Sequence, residues 1–166
     1  QEFDNVVSVQ IDEWKMENYT PIKKLSKLNK PVLLKRGLPA TYEEWLMAAE
    51  YIMSEGNEQV VLCERGIRTF ETKTRNTLDV TAIPMMHELS HLPIIMDPSH
   101  AAGMSRMVRP LSLASVGGGA DGLMIEVHND PSKALCDGPQ ALRPDQFTSL
   151  MKEIIALRQA LVECTK

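Results

Sequence analysis

The most constraining feature of this 166-residue sequence is a regular alternation of short, apolar, β-rich runs with amphipathic helical stretches. Five such runs are predicted as strands, over residues 6–11, 31–36, 59–63, 92–96 and 122–127. Strands that are apolar along their length are typical of parallel sheets covered on both faces. Repeated strand–helix units favour right-handed crossovers. The pattern therefore predicts an α/β fold whose parallel strands are adjacent in chain order.

The predicted helices follow the strands in turn: residues 16–28, a helix that Thr41 opens and Gly56 ends, a short helix after residue 79, residues 107–116 and residues 144–162. Thr41 with Glu44 has the spacing of a capping box. The polar stretch over residues 67–79 is predicted as a long loop. Because no linker or low-complexity tract interrupts the pattern, residues 1–166 are expected to form a single domain.

Composition excludes some classes of function. The net charge of −4 argues against general nucleic-acid binding, because a phosphate backbone attracts a basic surface. No apolar run is long enough for a membrane helix. Cys63, Cys136 and Cys164 are widely spaced, which favours reduced, buried thiols and a cytoplasmic setting.

Charged or metal-ligating residues follow four successive predicted strands. They occur in Lys35-Arg36-Gly37, Glu64-Arg65-Gly66, Asp97-Pro98-Ser99-His100 and Glu126-Val127-His128. In a parallel (β/α)8 barrel, the carboxyl ends of the strands meet on the face that carries the active site. An open doubly wound sheet also binds ligands at that end. Both architectures predict that these side chains share one site.

The site residues suit two kinds of chemistry. The cations Lys35, Arg36, Arg65 and Arg68 suit a small phosphorylated or carboxylated ligand. One imidazole and two carboxylates, those of His100, Glu126 and Asp137, form a mixed nitrogen and oxygen set suited to Mn, Fe, Co or Zn. Spacing alone does not establish that these three residues converge.

Six stretches carry longer motifs: residues 30–37, 62–70, 74–79, 91–100, 126–128 and 134–138. In order, they resemble the fifth-strand to eighth-strand motifs of the type I-beta 3-deoxy-D-arabino-heptulosonate-7-phosphate (DAHP) synthases. The resemblance runs from about residue 30 to the last helix. It implies the C-terminal part of a (β/α)8 TIM barrel, with about five strand–helix units.

The resemblance also implies a reaction and residue roles. The family condenses phosphoenolpyruvate with erythrose 4-phosphate, the first step of the shikimate pathway to aromatic amino acids. Lys35 and Arg65 would hold phosphoenolpyruvate, with Arg36 and Arg68 as supporting residues. Lys35 and His100 would be catalytic. The divalent metal would be bound by the triad of His100, Glu126 and Asp137.

Two departures from the family keep other functions open. The family's first three strands and its cysteine metal ligand have no counterpart here, and its Gln-Ile-Gly-Ala-Arg motif is replaced by Gln-Ile-Asp-Glu-Trp, residues 10–14. The acids, with Trp14 in place of the arginine, would disfavour a phosphate. The alternatives are a non-catalytic phosphometabolite-binding or interaction protein and a 3-deoxy-octulosonate 8-phosphate synthase. The chain alone is expected to be inactive, and to act as a homo-oligomer or with a partner that completes the barrel.

Overall fold

The structure is a computed structural model that describes residues 8–12, 27 and 30–164. Its strands are β1 (Val9–Ile11), β2 (Val32–Lys35), β3 (Val60–Glu64), β4 (Ile94–Met96) and β5 (Gly122–Leu123). They form one sheet in the order β1-β2-β3-β4-β5. Each neighbouring pair is parallel. The predicted parallel sheet with strands adjacent in chain order is confirmed.

The helices are α1 (Tyr42–Ser54), α2 (Ala82–Leu89), α3 (Pro98–Ala102), α4 (Ser105–Gly117) and α5 (Pro144–Cys164). Two 3-10 turns, Pro131–Lys133 and Gly138–Gln140, lie between β5 and α5. The predicted helix over residues 16–28 lies outside the described residues, apart from Lys27. Among the helices that are described, none is both long and apolar enough to span a membrane.

Helix α1 illustrates how local sequence signals determine where a helix begins and which of its faces is buried. The Thr41 hydroxyl accepts from Glu44 N at 3.2 Å, and the Glu44 carboxylate accepts from Thr41 N at 2.8 Å, which confirms the predicted capping box. One face of the helix is buried, including Trp45 and Ile52. The indole of Trp45 donates to Leu34 O at 3.2 Å, so α1 is tied to β2 by a hydrogen bond as well as by packing.

Two apolar clusters hold the layers together. The larger one fills the space between the sheet and helices α1 and α2. The smaller one joins α4 to α5 and contains Val108, Leu142, Leu150 and Ile154. The first cluster therefore fixes α1 and α2 to the sheet, and the second fixes α4 to α5.

The fifth strand is shorter than predicted. The prediction covered residues 122–127, whereas regular pairing spans only β5. A hydrogen bond of 2.8 Å from Met124 N to Met96 O continues the ladder by one step. Beyond it β4 has ended, because Pro98 opens α3 and a proline has no N–H to donate. Helix α3 is not among the predicted helices, although Asp-Pro is a common helix start.

The cysteines correct another expectation. All three thiols are free, but only Cys63 is buried. Cys136 lies exposed in the loop before α5, and Cys164 is the last residue of α5. The expectation of burial was therefore wrong for Cys136 and Cys164. The count and spacing of cysteines do not reveal the exposure of these two thiols.

Candidate metal and anion site

The polar residues that follow the strands gather at the carboxyl end of the sheet. Lys35 is the last residue of β2, and Arg65 follows β3 directly. His100 lies in α3, which begins two residues after β4 ends. The Glu126 backbone N–H donates to the Ser99 hydroxyl at 3.0 Å, which holds the segment after β5 against α3. Parallel pairing thus brings residues that are distant in sequence to one face.

Three of these residues form a compact cluster. His100 Nε2 lies 3.5 Å from Glu126 Oε1 and 3.8 Å from Asp137 Oδ2. One ligand atom from each residue lies within 4.8 Å of the other two. Ligands bonded to a common ion at about 2.0–2.2 Å are at most about 4.4 Å apart. The partly exposed carboxylates therefore need only small adjustments to share an ion.

Asp97 orients the imidazole of this cluster. Its carboxylate is fully buried and accepts from His100 Nδ1 at 2.7 Å. The other oxygen accepts from His100 N at 2.9 Å, as the N-cap of α3. The hydrogen bond to Asp97 raises the pKa of His100, and burial opposes that rise. Because Nδ1 carries the proton, the lone pair of neutral His100 lies on Nε2, which faces the two carboxylates.

Asp137 reaches the cluster from an unusual backbone conformation. Its φ is 56°, a left-handed conformation that only some non-glycine residues adopt readily. One carboxylate oxygen faces His100, while the other lies 3.8 Å from Arg75 Nη1. Arg75 is half-exposed, so this second contact is a loose one. Asp137 is thus held between the imidazole and a cation from the loop after β3.

Lys35 is buried beside the cluster. Its ammonium is close enough to His100 to oppose the increase in the histidine pKa. Its side chain is only 10% exposed, and Nζ lies 3.3 Å from Asp12 Oδ1. Asp12 follows β1, so its carboxylate also lies at the carboxyl end of the sheet. The two residues after it, including Trp14, lie outside the described residues.

Arg36 is directed away from this cluster into a network of its own. Its Nη1 donates to Asp79 Oδ2 at 2.7 Å and its Nε donates to Ala40 O at 3.0 Å. The guanidinium lies over the Tyr42 ring, 4.5 Å from the centroid. Burial alone would raise the pKa of Asp79, but hydrogen bonds from Thr81, Arg36 and Tyr42 hold it below its usual value. These contacts give Arg36 a role in fixing the loop after β2.

The two remaining predicted cations differ in exposure. Arg65 is 3% exposed. The side-chain amide oxygen of Asn76 accepts a hydrogen bond from Arg65 Nη1 at 3.1 Å. Arg68 is exposed, and its backbone N–H donates to Leu38 O at 3.0 Å. Lys35 and Arg65 are therefore both buried at the strand ends, whereas Arg68 is exposed.

A buried carboxylate shapes the turn that carries Arg65. Glu64 is fully buried, and its two oxygens accept from Gly66 N at 2.9 and 3.1 Å. One of them also lies 3.3 Å from Asp79 N, which donates to it. Burial raises the pKa of Glu64 to about 8, even though these N–H groups and Arg36 favour the charged form. Gly66 has a φ of +95°, which a residue with a side chain rarely adopts.

Sequence reasoning missed the supporting acids. Asp97 and Glu64 were noticed only as strand-end residues, and Asp79 only as part of a motif. Asp12 was expected to repel a phosphate, but its contact with Lys35 was not expected. The available signal was an acid that directly follows or ends an apolar strand, because such an acid must be paired once it is buried.

The fold and the site together define a class of protein. Five parallel strands in chain order, with a histidine–carboxylate cluster at their carboxyl ends, form part of a (β/α)8 barrel. The model of the DAHP synthetase I family matches residues 2–163. The chain belongs to the DAHP synthetase I family.

Known proteins resemble the chain over most of its length. It is 50% identical over 153 residues to a phospho-2-dehydro-3-deoxyheptonate aldolase of Thermotoga maritima, covering 92% of this chain and 45% of that protein. A 2-dehydro-3-deoxyphosphooctonate aldolase of Geobacter sulfurreducens is 32% identical over 149 residues, covering 82% of this chain and 53% of that protein. The chain thus spans about half the length of these curated relatives.

A solved structure supports the same architecture. The truncated form of 3-deoxy-D-arabino-heptulosonate 7-phosphate synthase from Thermotoga maritima superposes with a TM-score of 0.92 at 49% identity. The match covers 93% of this chain and 59% of that one. The predicted fold class, a partial TIM barrel, is confirmed.

Proposed function

We propose that this chain supplies the metal-binding and phosphoenolpyruvate-binding part of a DAHP synthase. The convergence of His100, Glu126 and Asp137 beside the buried Lys35 is the observation that carries the proposal. In the reaction, the enol carbon of phosphoenolpyruvate bonds to the aldehyde carbon of erythrose 4-phosphate. Water adds to the other enol carbon, and phosphate leaves.

The three-residue cluster fits a divalent metal ion. One imidazole nitrogen and two carboxylates suit Mn, Fe, Co or Zn, and Asp97 presents Nε2 of His100 to the cluster. When bound, such an ion polarises a carbonyl oxygen as a Lewis acid. The role of the chain is to hold three ligands in place before the ion arrives.

Lys35 and Arg65 are proposed to bind the phosphoenolpyruvate anion. Both are buried at the carboxyl end of the sheet, where low solvent access strengthens attraction to phosphate and carboxylate groups. The Glu64 contacts with Gly66 hold the backbone next to Arg65. Arg68 is proposed as an exposed supporting cation. The contacts of Arg36 favour an indirect role in ligand binding, in which Arg36 holds the loop after β2 in place.

The proposed unit is a single partial-barrel domain over residues 1–166. An eight-stranded barrel needs three strands beyond the five described here. We propose that these come from another part of a longer protein, a second copy or a partner chain. The proposed erythrose 4-phosphate site belongs to that assembly, and a cytoplasmic setting fits three free thiols.

The second candidate is a non-catalytic phosphometabolite-binding or interaction protein. Trp14, in place of the family's arginine, favours it because the phosphoenolpyruvate site then lacks one of its cations. A 3-deoxy-octulosonate 8-phosphate synthase is a weaker candidate, since its relatives match at lower identity.

Metal binding tests the proposal. Manganese should bind to the chain with one site, and His100→Ala should remove that site. His91→Ala is the matched control, since His91 is exposed and outside the cluster. Calorimetric titration with Mn²⁺ measures the stoichiometry. Unchanged binding by His100→Ala would exclude the proposed site.

A further inference from the structure

The carboxylate of Asp12 contacts the ammonium of Lys35, the group that is proposed to bind an anion. Asp12 follows β1 and Lys35 ends β2, and these two strands are paired in parallel. Both side chains therefore lie at the same end of the sheet. Their charged atoms are 3.3 Å apart.

The geometry of the pair is that of a contact that another anion can replace. Charge-assisted hydrogen bonds between nitrogen and oxygen are usually about 2.7–2.9 Å long. The separation of 3.3 Å is longer, so the hydrogen bond from Lys35 Nζ to Asp12 Oδ1 is a weak one. Asp12 is 42% exposed, whereas Lys35 is 10% exposed. The carboxylate can therefore move into solvent at little cost, while the ammonium stays in place.

Burial makes Lys35 dependent on a counter-charge. A buried ammonium without an anion nearby is unfavourable, because it loses its hydration. In the described part of the chain, the ion pair recorded for Lys35 is the one with Asp12. A phosphorylated ligand that binds Lys35 either displaces the Asp12 carboxylate or lies beside it. In both cases the negative charge of Asp12 weakens binding of the ligand.

We propose that Asp12 determines the anion affinity of the site around Lys35 by competing with phosphoenolpyruvate for the ammonium. This inference rests on the proposed function, in which Lys35 binds phosphoenolpyruvate. Asp12 swings toward solvent when the ligand binds and returns when it leaves. The site therefore binds phosphoenolpyruvate more weakly than it would with a neutral residue at position 12.

The test compares calorimetric dissociation constants for phosphoenolpyruvate in the presence of Mn²⁺. Asp12→Asn keeps the shape of the side chain and removes its charge. It should bind phosphoenolpyruvate about two- to fivefold more tightly, the range expected for a half-exposed ion pair. Glu153→Gln is the matched control, because it neutralises an acid in the exposed pair with Arg109, 2.6 Å away. That variant should bind like the original chain.

Salt provides a second measurement that separates charge competition from a change of shape. Raising the salt from about 0.1 M to about 1 M shortens the Debye length from about 10 Å to about 3 Å. The advantage of Asp12→Asn should shrink accordingly, whereas a steric effect would persist.

The outcomes distinguish this inference from the proposed function. Equal dissociation constants for the original chain and Asp12→Asn would overturn the competition and leave the phosphoenolpyruvate site intact. Weaker binding by Asp12→Asn would also overturn it, because Asp12 would then hold Lys35 in place for the ligand. An absence of binding in every variant would overturn the proposed function and this inference with it.

Discussion

Glu64 makes the stability of the molecule depend on pH. Its pKa is raised from 4.5 to about 8, chiefly by burial. At pH 7 the folded chain therefore holds a proton on Glu64 that the unfolded chain has lost. The folded state binds more protons between these two values, so its stability falls as pH rises.

The substitution Glu64→Gln should remove this dependence. From about pH 5 to about pH 8, Glu64 costs up to about 1.4 kcal/mol of stability per pH unit. The original chain should therefore lose more unfolding free energy across this range than Glu64→Gln, which keeps an acceptor for Gly66 N. Urea unfolding at a series of pH values measures the difference. Parallel pH profiles for the two proteins would show that Glu64 ionises normally.

Asp97 should influence metal affinity without touching the metal. Its bond to His100 Nδ1 fixes the ring with Nε2 facing the carboxylates. Removal of such a partner typically costs about 10–100-fold in metal affinity. Asp97→Asn should therefore weaken Mn²⁺ binding by that factor in a calorimetric titration.

Another aspartate–histidine pair supplies the control for Asp97. Asp121 Oδ2 lies 3.1 Å from His87 Nε2, outside the metal cluster. Asp121→Asn should leave Mn²⁺ affinity unchanged, even if stability falls through its bond to Ile94 N. Equal losses in the two variants would mean that the effect of Asp97→Asn is not specific to the cluster.

At the scale of elements, the turn after β3 depends on a single glycine. A Cβ on Gly66 would lie 2.7 Å from Asn76 Cβ and 2.9 Å from Ala101 Cα, and its φ is +95°. Gly66→Ala should cost about 1–3 kcal/mol, the range for a residue forced into a disfavoured conformation. The midpoint and slope of urea unfolding measure this cost.

Gly117→Ala is the matched control for Gly66→Ala. Gly117 lies in α4, where an added Cβ would meet nothing within 4 Å. Because Gly117 is the last residue of α4, alanine should stabilise the helix there by less than the value of about 0.5–1 kcal/mol for a helix interior. A destabilising Gly117→Ala, or a neutral Gly66→Ala, would contradict the structural account of these two positions.

Sequence periodicity predicted most elements because each strand–helix unit carries its own pattern. The capping box of Thr41 and Glu44 is a local signal, and the structure confirmed it. The length of β5 was not predictable in the same way, because it depends on where β4 ends. The pairing of Lys35 with Asp12 joins two strands and leaves no local signal either.

The metal triad was predicted from residue types and from the family resemblance. Its members come from three segments separated by up to 37 residues, His100 to Asp137. The distances between these three residues could not be predicted without the fold, because spacing along the chain does not determine the path of the loop before α5. The roles of these residues remain predictions that metal-binding experiments test.

At the scale of the whole molecule, the sheet has an apolar groove beside its last strand. The groove has a volume of about 420 Å³ and lies between β5 and α5. It is lined mainly by apolar residues, including Leu123, Ile125, Phe147 and Met151. In the proposed complete barrel, the first strand would lie beside β5, next to this groove.

The 166-residue polypeptide produced by itself should not catalyse DAHP formation. Positioning of reactants supplies about 7–11 kcal/mol of rate advantage, and this chain holds only part of the proposed substrate site. Loss of phosphoenolpyruvate, followed with erythrose 4-phosphate and Mn²⁺ present, should equal the background. Sedimentation should show self-association through the open sheet edges. Steady turnover by a monomer would contradict the partial-barrel account.

The position of a bound metal ion tests the central claim most directly. Anomalous X-ray diffraction from crystals of the chain grown with Mn²⁺ locates the ion without reference to activity. The account predicts one peak about 2.0–2.2 Å from His100 Nε2, with an oxygen of Glu126 and one of Asp137 at similar distances. A manganese peak elsewhere, with these three side chains unliganded, would contradict it.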